Sequence, residues 1–211
     1  MRLGYFGGSF DPPHLGHLAV ARAAADNFAL DSVLLVPTAN QPLKPTGAVA
    51  SYGDRLAMVS LLCRADSRLV ASDLEAPLIP PTPNYTIDTL TRLRADRPED
   101  QLFVVVGADA FHELPRWRSP NRLLSIADWI VVTRPHLLHD ALSPAQTQPS
   151  LDLPWVTPEQ RTHVHRLVTV DHPATATAIR SALATGASCV DGLPPDVLTY
   201  IRNHHLYAAA L

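Results

Sequence analysis

Cysteine is nearly absent: Cys63 and Cys189 are the only two in 211 residues, and they stand in no metal-binding or redox spacing. A disulfide scaffold and a thiol-ligated metal site are both excluded. Cys63, next to Met58-Val59-Ser60-Leu61-Leu62, reads as a small buried hydrophobe. No apolar run is long enough for a transmembrane helix, and no charged-apolar-small leader opens the chain, so a cytoplasmic protein without a membrane span is expected. Positive charge is not in excess either. With 17 Lys and Arg against 20 Asp and Glu, the net charge of −3 argues against a nucleic-acid polymer as partner. No Walker A loop occurs, and no Gly-x-Gly-x-x-Gly follows the first apolar run, which removes the main support for a P-loop or dinucleotide site. Ten histidines are present, but His163/His165 and His204/His205 lack the spacing that sets two ligands on one helix face. No resident metal is expected.

Apolar runs alternate with helix-like stretches. Met1–Phe6, Val33–Val36, Leu69–Ala71, Leu102–Val106, Trp129–Val132 and Leu167–Val170 read as strands. The central ones are nearly all β-branched or apolar, as parallel strands covered on both faces require. Helical periodicity predicts helices over about 15–29, 52–64, 86–96, 119–126 and 177–185. This alternation predicts an α/β fold: a doubly wound, mostly parallel Rossmann-like sheet with helices on both faces and ligands at the strands' carboxyl ends. The length suits one domain, 1–211, with a helical C-terminal part at about 177–207. Prolines cluster at Pro37–Pro45, Pro77–Pro83 and Pro135–Pro158. The first two clusters fall on strand-to-helix connections, and no chemistry is legible in the third.

Against this background one string carries most of the chemistry: Gly7-Gly8-Ser9-Phe10-Asp11-Pro12-Pro13-His14-Leu15-Gly16-His17. It joins the first strand to the first helix. Glycines at such a turn let backbone N–H groups approach a ligand, and a helix N-terminus bearing two imidazoles suits phosphate oxygens. His14 and His17 are expected on one face of the first helical turn. Asp11 reads as a brace for the turn rather than a base. Far downstream, Ala174-Thr175-Ala176-Thr177-Ala178-Ile179-Arg180 offers a second helix start, with Thr177 as the expected N-cap and Arg180 in the first turn.

These strings resemble the signatures of the nucleotidyltransferase superfamily that carries an HxGH motif. The downstream one matches its Ile-Ser-Ser/Ala-Thr-x-Ile-Arg element in the Thr-x-Ile-Arg half and departs from it at Ala174, Thr175 and Ala176. Three further strings narrow the resemblance: Pro42-Leu43-Lys44-Pro45, Asn84-Tyr85-Thr86-Ile87-Asp88-Thr89-Leu90, and Gly107-Ala108-Asp109 with Leu114 and Trp117. Together with a closing Gly192-Leu193-Pro194 to Tyr200-Ile201 helix and Leu206-Tyr207, they resemble the bacterial nicotinate-nucleotide adenylyltransferases over nearly the whole chain.

The resemblance implies transfer of AMP from ATP to nicotinate mononucleotide in NAD biosynthesis, with Mg²⁺ carried mainly by the ATP phosphates. It implies catalytic roles for His14, His17 and Arg180, and ATP contacts from Gly7, Gly8, Ser9, Phe10, Asp109 and Thr177. Lys44, Tyr85, Thr86, Trp117 and Arg134 would bind the mononucleotide. Here Trp117 stacks on the pyridine ring, Thr86 and neighbouring amides read its carboxylate, and Lys44 and Arg134 meet its phosphate. The residues alone leave other roles open: Trp117 as core packing, Asp109 as a helix N-cap, Lys44 and Arg134 as solvated charges. A pantetheine-phosphate or nicotinamide-preferring relative and a non-catalytic nucleotide sensor are the competing functions, and the oligomeric state is open.

Overall fold

A computed structural model describes residues 1–42, 47–133, 155–168 and 173–208. Six parallel strands form one sheet: β1 (Arg2–Gly8), β2 (Ser32–Pro37), β3 (Leu69–Ala71), β4 (Gln101–Gly107), β5 (Asp128–Thr133) and β6 (Val164–Val168), in the order β3-β2-β1-β4-β5-β6. Helices α1 (Leu15–Asn27), α2 (Tyr52–Cys63), α3 (Thr86–Asp96), α4 (Ala108–His112), α5 (Pro120–Ile126), α6 (Pro158–Arg161), α7 (Ala176–Ala184) and α8 (Pro195–Asn203) connect or follow the strands. The expected doubly wound α/β architecture is therefore present.

Alternation along the strands explains why both faces are covered. In β4, Leu102, Val104 and Val106 pack on one face with Leu90 of α3 and Leu123 of α5. Phe103 and Val105 pack on the other with Ala21 of α1 and Leu62 of α2. Trp129 and Val131 of β5 join the first face, and Ile130 and Val132 the second. A third cluster joins Met58 of α2 to Ile179 of α7 and to Val197 and Ile201 of α8, which ties the C-terminal helices to the sheet.

Strands β1 to β3 are laid down toward one edge of the sheet and β4 to β6 toward the other, and at that switch β1 and β4 part. Their ladder runs from Arg2–Gln101 to Tyr5–Val104 and stops. β1 nevertheless stays paired with β2 through Gly8–Pro37, and β4 with β5 through Gly107–Val132. The result is a crevice at the carboxyl ends of the strands, where doubly wound sheets take ligands.

The five predicted helices lie within two residues of their expected bounds, and β1 runs on through Gly7 and Gly8 instead of ending at Phe6. The last strand differs more. β6 starts at Val164, paired to Trp129, three residues before the predicted start. It is an edge strand and only partly covered, so it tolerates the half-buried His165 and Arg166, whose polarity masked the start. Residues 169 and 170 lie outside the described residues, as do 134–154 of the proline-rich stretch.

Candidate active site

The end of β1 that leads into the turn is built on glycine for steric reasons. A Cβ on Gly7 would lie 2.6 Å from the Tyr5 hydroxyl, and one on Gly8 would lie 3.3 Å from the Phe10 ring. Phe10 is buried and takes a left-handed φ of 47°. Asp11 then fixes the turn. Its carboxylate, 5% exposed, accepts from Val49 N at 2.7 Å, Ala50 N at 3.1 Å and Tyr207 Oη at 2.7 Å. Beside it the buried Arg55 donates to Ser9 O at 2.6 Å and Ala50 O at 3.3 Å. Burial lowers the Arg55 pKa, and the Asp11 charge opposes that shift. Burial first, then the bond to Asp11, pushes the Tyr207 phenol far up, so Tyr207 stays a donor. Asp11 is a brace, as its sequence context suggested.

His14 is the N-cap of α1, with extended backbone, rather than a member of its first turn, and His17 is the third helical residue. Their rings nevertheless stack, with centroids 3.8 Å apart and planes inclined by 31°. His17 Nδ1 accepts from His14 N at 3.2 Å, so the proton of a neutral His17 ring resides on Nε2 as a donor. The Phe10 ring lies 4.9 Å from that of His17 and limits its rotation. Gly16 has no room for a side chain: a Cβ would lie 2.9 Å from His14 Nδ1 and 3.5 Å from Ala174 O. The start of α1 thus packs directly against the segment leading into α7.

At α7 the structure corrects one expectation. Thr175, not Thr177, is the N-cap, and its Oγ1 accepts from Ala178 N at 3.2 Å. Thr175 has the extended backbone an N-cap needs, whereas Thr177 is already helical. Arg180 is accordingly the fifth helical residue, beyond the first turn, but its side chain reaches back to the site. Nη1 donates to Asp11 O at 2.6 Å, and Nη2 lies 3.4 Å from Thr177 Oγ1. Asp109 is the second residue of α4 and exposed, and the N-cap there is Gly107.

Beside this cluster the parted strands enclose a cavity of about 330 Å³. Tyr85, Thr86 and Trp117 all line it, and Gly7, Gly8 and Gly107 lie on its strand side. Gly7 and Gly8 belong to both features, since they also lead into the turn that carries His14 and His17. Tyr85 caps α3 with no side-chain bond to the first-turn amides, and Thr86 is the first helical residue. Trp117 follows a short 3₁₀ turn, Leu114–Arg116, and meets Trp129 edge to face at 6.2 Å. It therefore packs on the core and lines the cavity at once. Lys44 and Arg134 lie outside the described residues. Two cavity cations were missed, Arg116 and Arg118. Arg118 lies 4.8 Å from the centre of the Tyr85 ring and 3.1 Å from Asp88. Its position directly after Trp117 was the only signal that could have found it. Among the described residues, no three His, Cys, Asp or Glu side chains converge to hold a metal ion, and no helix is long and apolar enough to cross a membrane.

The cytidylyltransferase-like family model matches residues 5–182, from within β1 into α7. Two relatives named "Probable nicotinate-nucleotide adenylyltransferase" are similar over nearly all of the chain. That of Solibacter usitatus is 40% identical over 98% of this chain and 100% of its own. That of a Synechococcus strain is 38% identical over 98% of this chain and 94% of its own. Among solved structures, the Plasmodium falciparum nicotinic acid mononucleotide adenylyltransferase complexed with APC superposes with a TM-score of 0.70. It covers 98% of this chain and 96% of that one at 15% identity, a likeness of fold. The same enzyme complexed with NaAD gives 0.69 at 14% identity. The chain belongs to the cytidylyltransferase-like family and, within it, to the nicotinate-nucleotide adenylyltransferases.

Proposed function

We propose that the protein transfers AMP from ATP to nicotinate mononucleotide, forming nicotinate adenine dinucleotide and pyrophosphate. One observation carries the reading: an imidazole and guanidinium cluster suited to phosphates adjoins an aromatic-lined cavity, and both share Gly7 and Gly8. A mononucleotide phosphate oxygen attacks the α-phosphorus of ATP. The bond from that phosphorus to the bridging oxygen breaks, and pyrophosphate leaves with the electron pair. The nucleophile is already an anion, so no general base is needed, and catalysis reduces to alignment and charge stabilisation.

His17 Nε2 and His14 donate where charge develops at the transferred phosphorus. Arg180, anchored on Asp11 O, has further N–H groups for the β- and γ-phosphates, with Thr177 beside it. Backbone amides around Gly8, Ser9 and Phe10 complete the phosphate contacts, and Asp109 accepts from ribose hydroxyls. Mg²⁺ would be carried mainly by the ATP phosphates, since no carboxylate cage forms among the described residues, and would supply charge neutralisation there. Trp117 and Tyr85 take the pyridine ring, while Thr86 and the open first turn of α3 read its carboxylate. Lys44 and Arg134 meet the mononucleotide phosphate. The reducing cytoplasm suits a chain whose two cysteines are free.

The test is dinucleotide formation from ATP and Mg²⁺ with nicotinate or nicotinamide mononucleotide. We expect kcat/KM at least about tenfold higher for nicotinate, the value of one charge-assisted contact. Equal values or a nicotinamide preference would refute the carboxylate-reading role of Thr86. No dinucleotide from either would refute the reaction.

A further inference from the structure

The wall of the cavity holds a carboxylate that the transfer chemistry does not use. Glu75, in the loop after β3, lines the cavity and is 2% exposed. Its Oε1 accepts from Tyr5 Oη at 2.6 Å and from Thr89 Oγ1 at 3.0 Å. Two hydroxyl donors on one oxygen suit an ionised carboxylate. Burial, followed by the Glu75 charge, pushes the Tyr5 phenol well above its ordinary range and keeps it a donor.

The other charged side chains around the cavity are paired at its exposed rim, Arg116 with Glu113 and Arg118 with Asp88. Glu75 differs: among the described residues it is held by hydroxyls and forms no ion pair. Hydroxyls satisfy its lone pairs but do not neutralise its charge, and a buried charge without a counter-charge is costly. Much of the surrounding wall is apolar, with Val104, Val106 and Leu123, so the field of that charge within the cavity is weakly screened.

We propose that Glu75 is a specificity-determining residue that selects a ring with a permanent positive charge, the quaternary pyridinium of an N-ribosylated pyridine, over a neutral ring of the same outline. The proposal rests on the mononucleotide reading of the cavity. Thr89, which holds Glu75, lies three residues beyond Thr86 on α3, hence one turn further on the same face, about 5 Å. A ring whose carboxylate meets Thr86 thus has Glu75 about one helical turn away. The negative charge favours the ring nitrogen on its own side and repels the ring carboxylate from it. Glu75 therefore also sets which edge of the ring faces Thr86. Stacking on Trp117 favours a cationic ring as well, so the part due to Glu75 is the change in that preference when its charge is removed.

Glu75→Gln isolates the charge, because the amide keeps the size and one oxygen acceptor for Tyr5 and Thr89. Calorimetric Kd values are measured at pH 8 for nicotinate mononucleotide and for its 1,4-dihydro form, whose ring is neutral. We expect the wild-type protein to bind the cationic ring at least about tenfold tighter. In Glu75→Gln that ratio falls by about tenfold, through weaker binding of the cationic form. The KM for ATP and the Tm stay near wild type. An unchanged ratio, or equal weakening of both forms, overturns the proposal. Should Glu75→Gln fail to fold, the ratio is read in Trp117→Leu, which removes the aromatic face. A preference for the cationic ring that persists there supports Glu75. Its loss, or a wild-type protein indifferent to ring charge, overturns the proposal. Failure of the transferase reading looks different: ATP and nicotinate mononucleotide give no dinucleotide at all.

Discussion

Tyr207→Phe removes a single hydroxyl from the brace beneath the HxGH turn, and its cost can be worked from the geometry. The Tyr207 hydroxyl donates to Asp11 Oδ1 at 2.7 Å, and the two residues are only 8% and 5% exposed, so water cannot replace the bond. A hydrogen bond to a charged group contributes about 1.5–3 kcal/mol. Asp11 keeps its bonds to Val49 N and Ala50 N and the nearby charge of Arg55, which favours the lower half of that range. We expect about 2 kcal/mol, or a Tm lower by about 4–8 °C for a chain of this size. The phenyl ring keeps its packing, so little of the loss comes from a cavity. Asp11→Asn should cost more, about 3–5 kcal/mol, because its amide NH₂ faces a backbone N–H or the Tyr207 hydroxyl and the Arg55 charge loses its neighbour. The same turn carries His14, and Asp11 O anchors Arg180, so kcat should fall several-fold in Tyr207→Phe at temperatures where it is fully folded. Thermal melts and initial rates on the two variants decide the matter. A Tyr207→Phe Tm within about 1 °C of wild type, or a cost equal to that of Asp11→Asn, would refute the brace.

The remaining expectations follow from single sites. His17→Ala should lower kcat by roughly two orders of magnitude, equivalent to about 3 kcal/mol, with a much smaller change in ATP affinity, as rapid-quench kinetics would show; a raised ATP KM at unchanged kcat would assign His17 to ground-state binding. Trp117→Ala should weaken nicotinate mononucleotide by about 1–2 kcal/mol in calorimetry while leaving ATP binding alone. Since Trp117 also packs on Trp129, a modest drop in Tm is expected as well, and a lower Tm with unchanged mononucleotide affinity would leave it a packing residue only. Burial pushes the Cys63 thiol up to about 12, whereas Cys189 is exposed, so a thiol reagent at pH 8 should label one cysteine in the folded protein and both in denaturant. Rapid double labelling of the native state would contradict the burial of Cys63. Asp66 is held below the usual carboxylate range, first by hydrogen bonding from the Arg68 side chain. A depressed folded-state pKa gives stability that is present above the unfolded value near 3.8 and lost as pH falls below it. Asp66→Asn should therefore flatten the acid limb of a Tm-versus-pH curve, and an unchanged limb would show that the pair contributes nothing there.

What could be read from the sequence follows from how far each interaction reaches along the chain. β4 and β5 were legible because strands covered on both faces must be apolar at every position, whereas β6, open on one side, hides its start in His165 and Arg166. The HxGH turn was legible because its parts adjoin: Gly7 must avoid the Tyr5 hydroxyl two residues away, and Gly16 must clear the His14 ring. The N-cap of α7 was misread because Thr175 and Thr177 offer the same side chain at both candidate positions, and only the backbone angles choose between them. The supports of the site were illegible for another reason. Tyr207 and Asp11 are 196 positions apart, Arg180 and Asp11 169, and Tyr5 and Glu75 70. Nothing local marks Glu75 as buried; a lone glutamate in a loop reads as solvated until the fold brings the segment after β3 within reach of Tyr5 on β1 and Thr89 on α3. The residues that touch phosphate are thus visible as motifs, since a helix start and its turn are contiguous. Those that hold the motif in place, or set the charge of the cavity, exist only as pairs made by the topology.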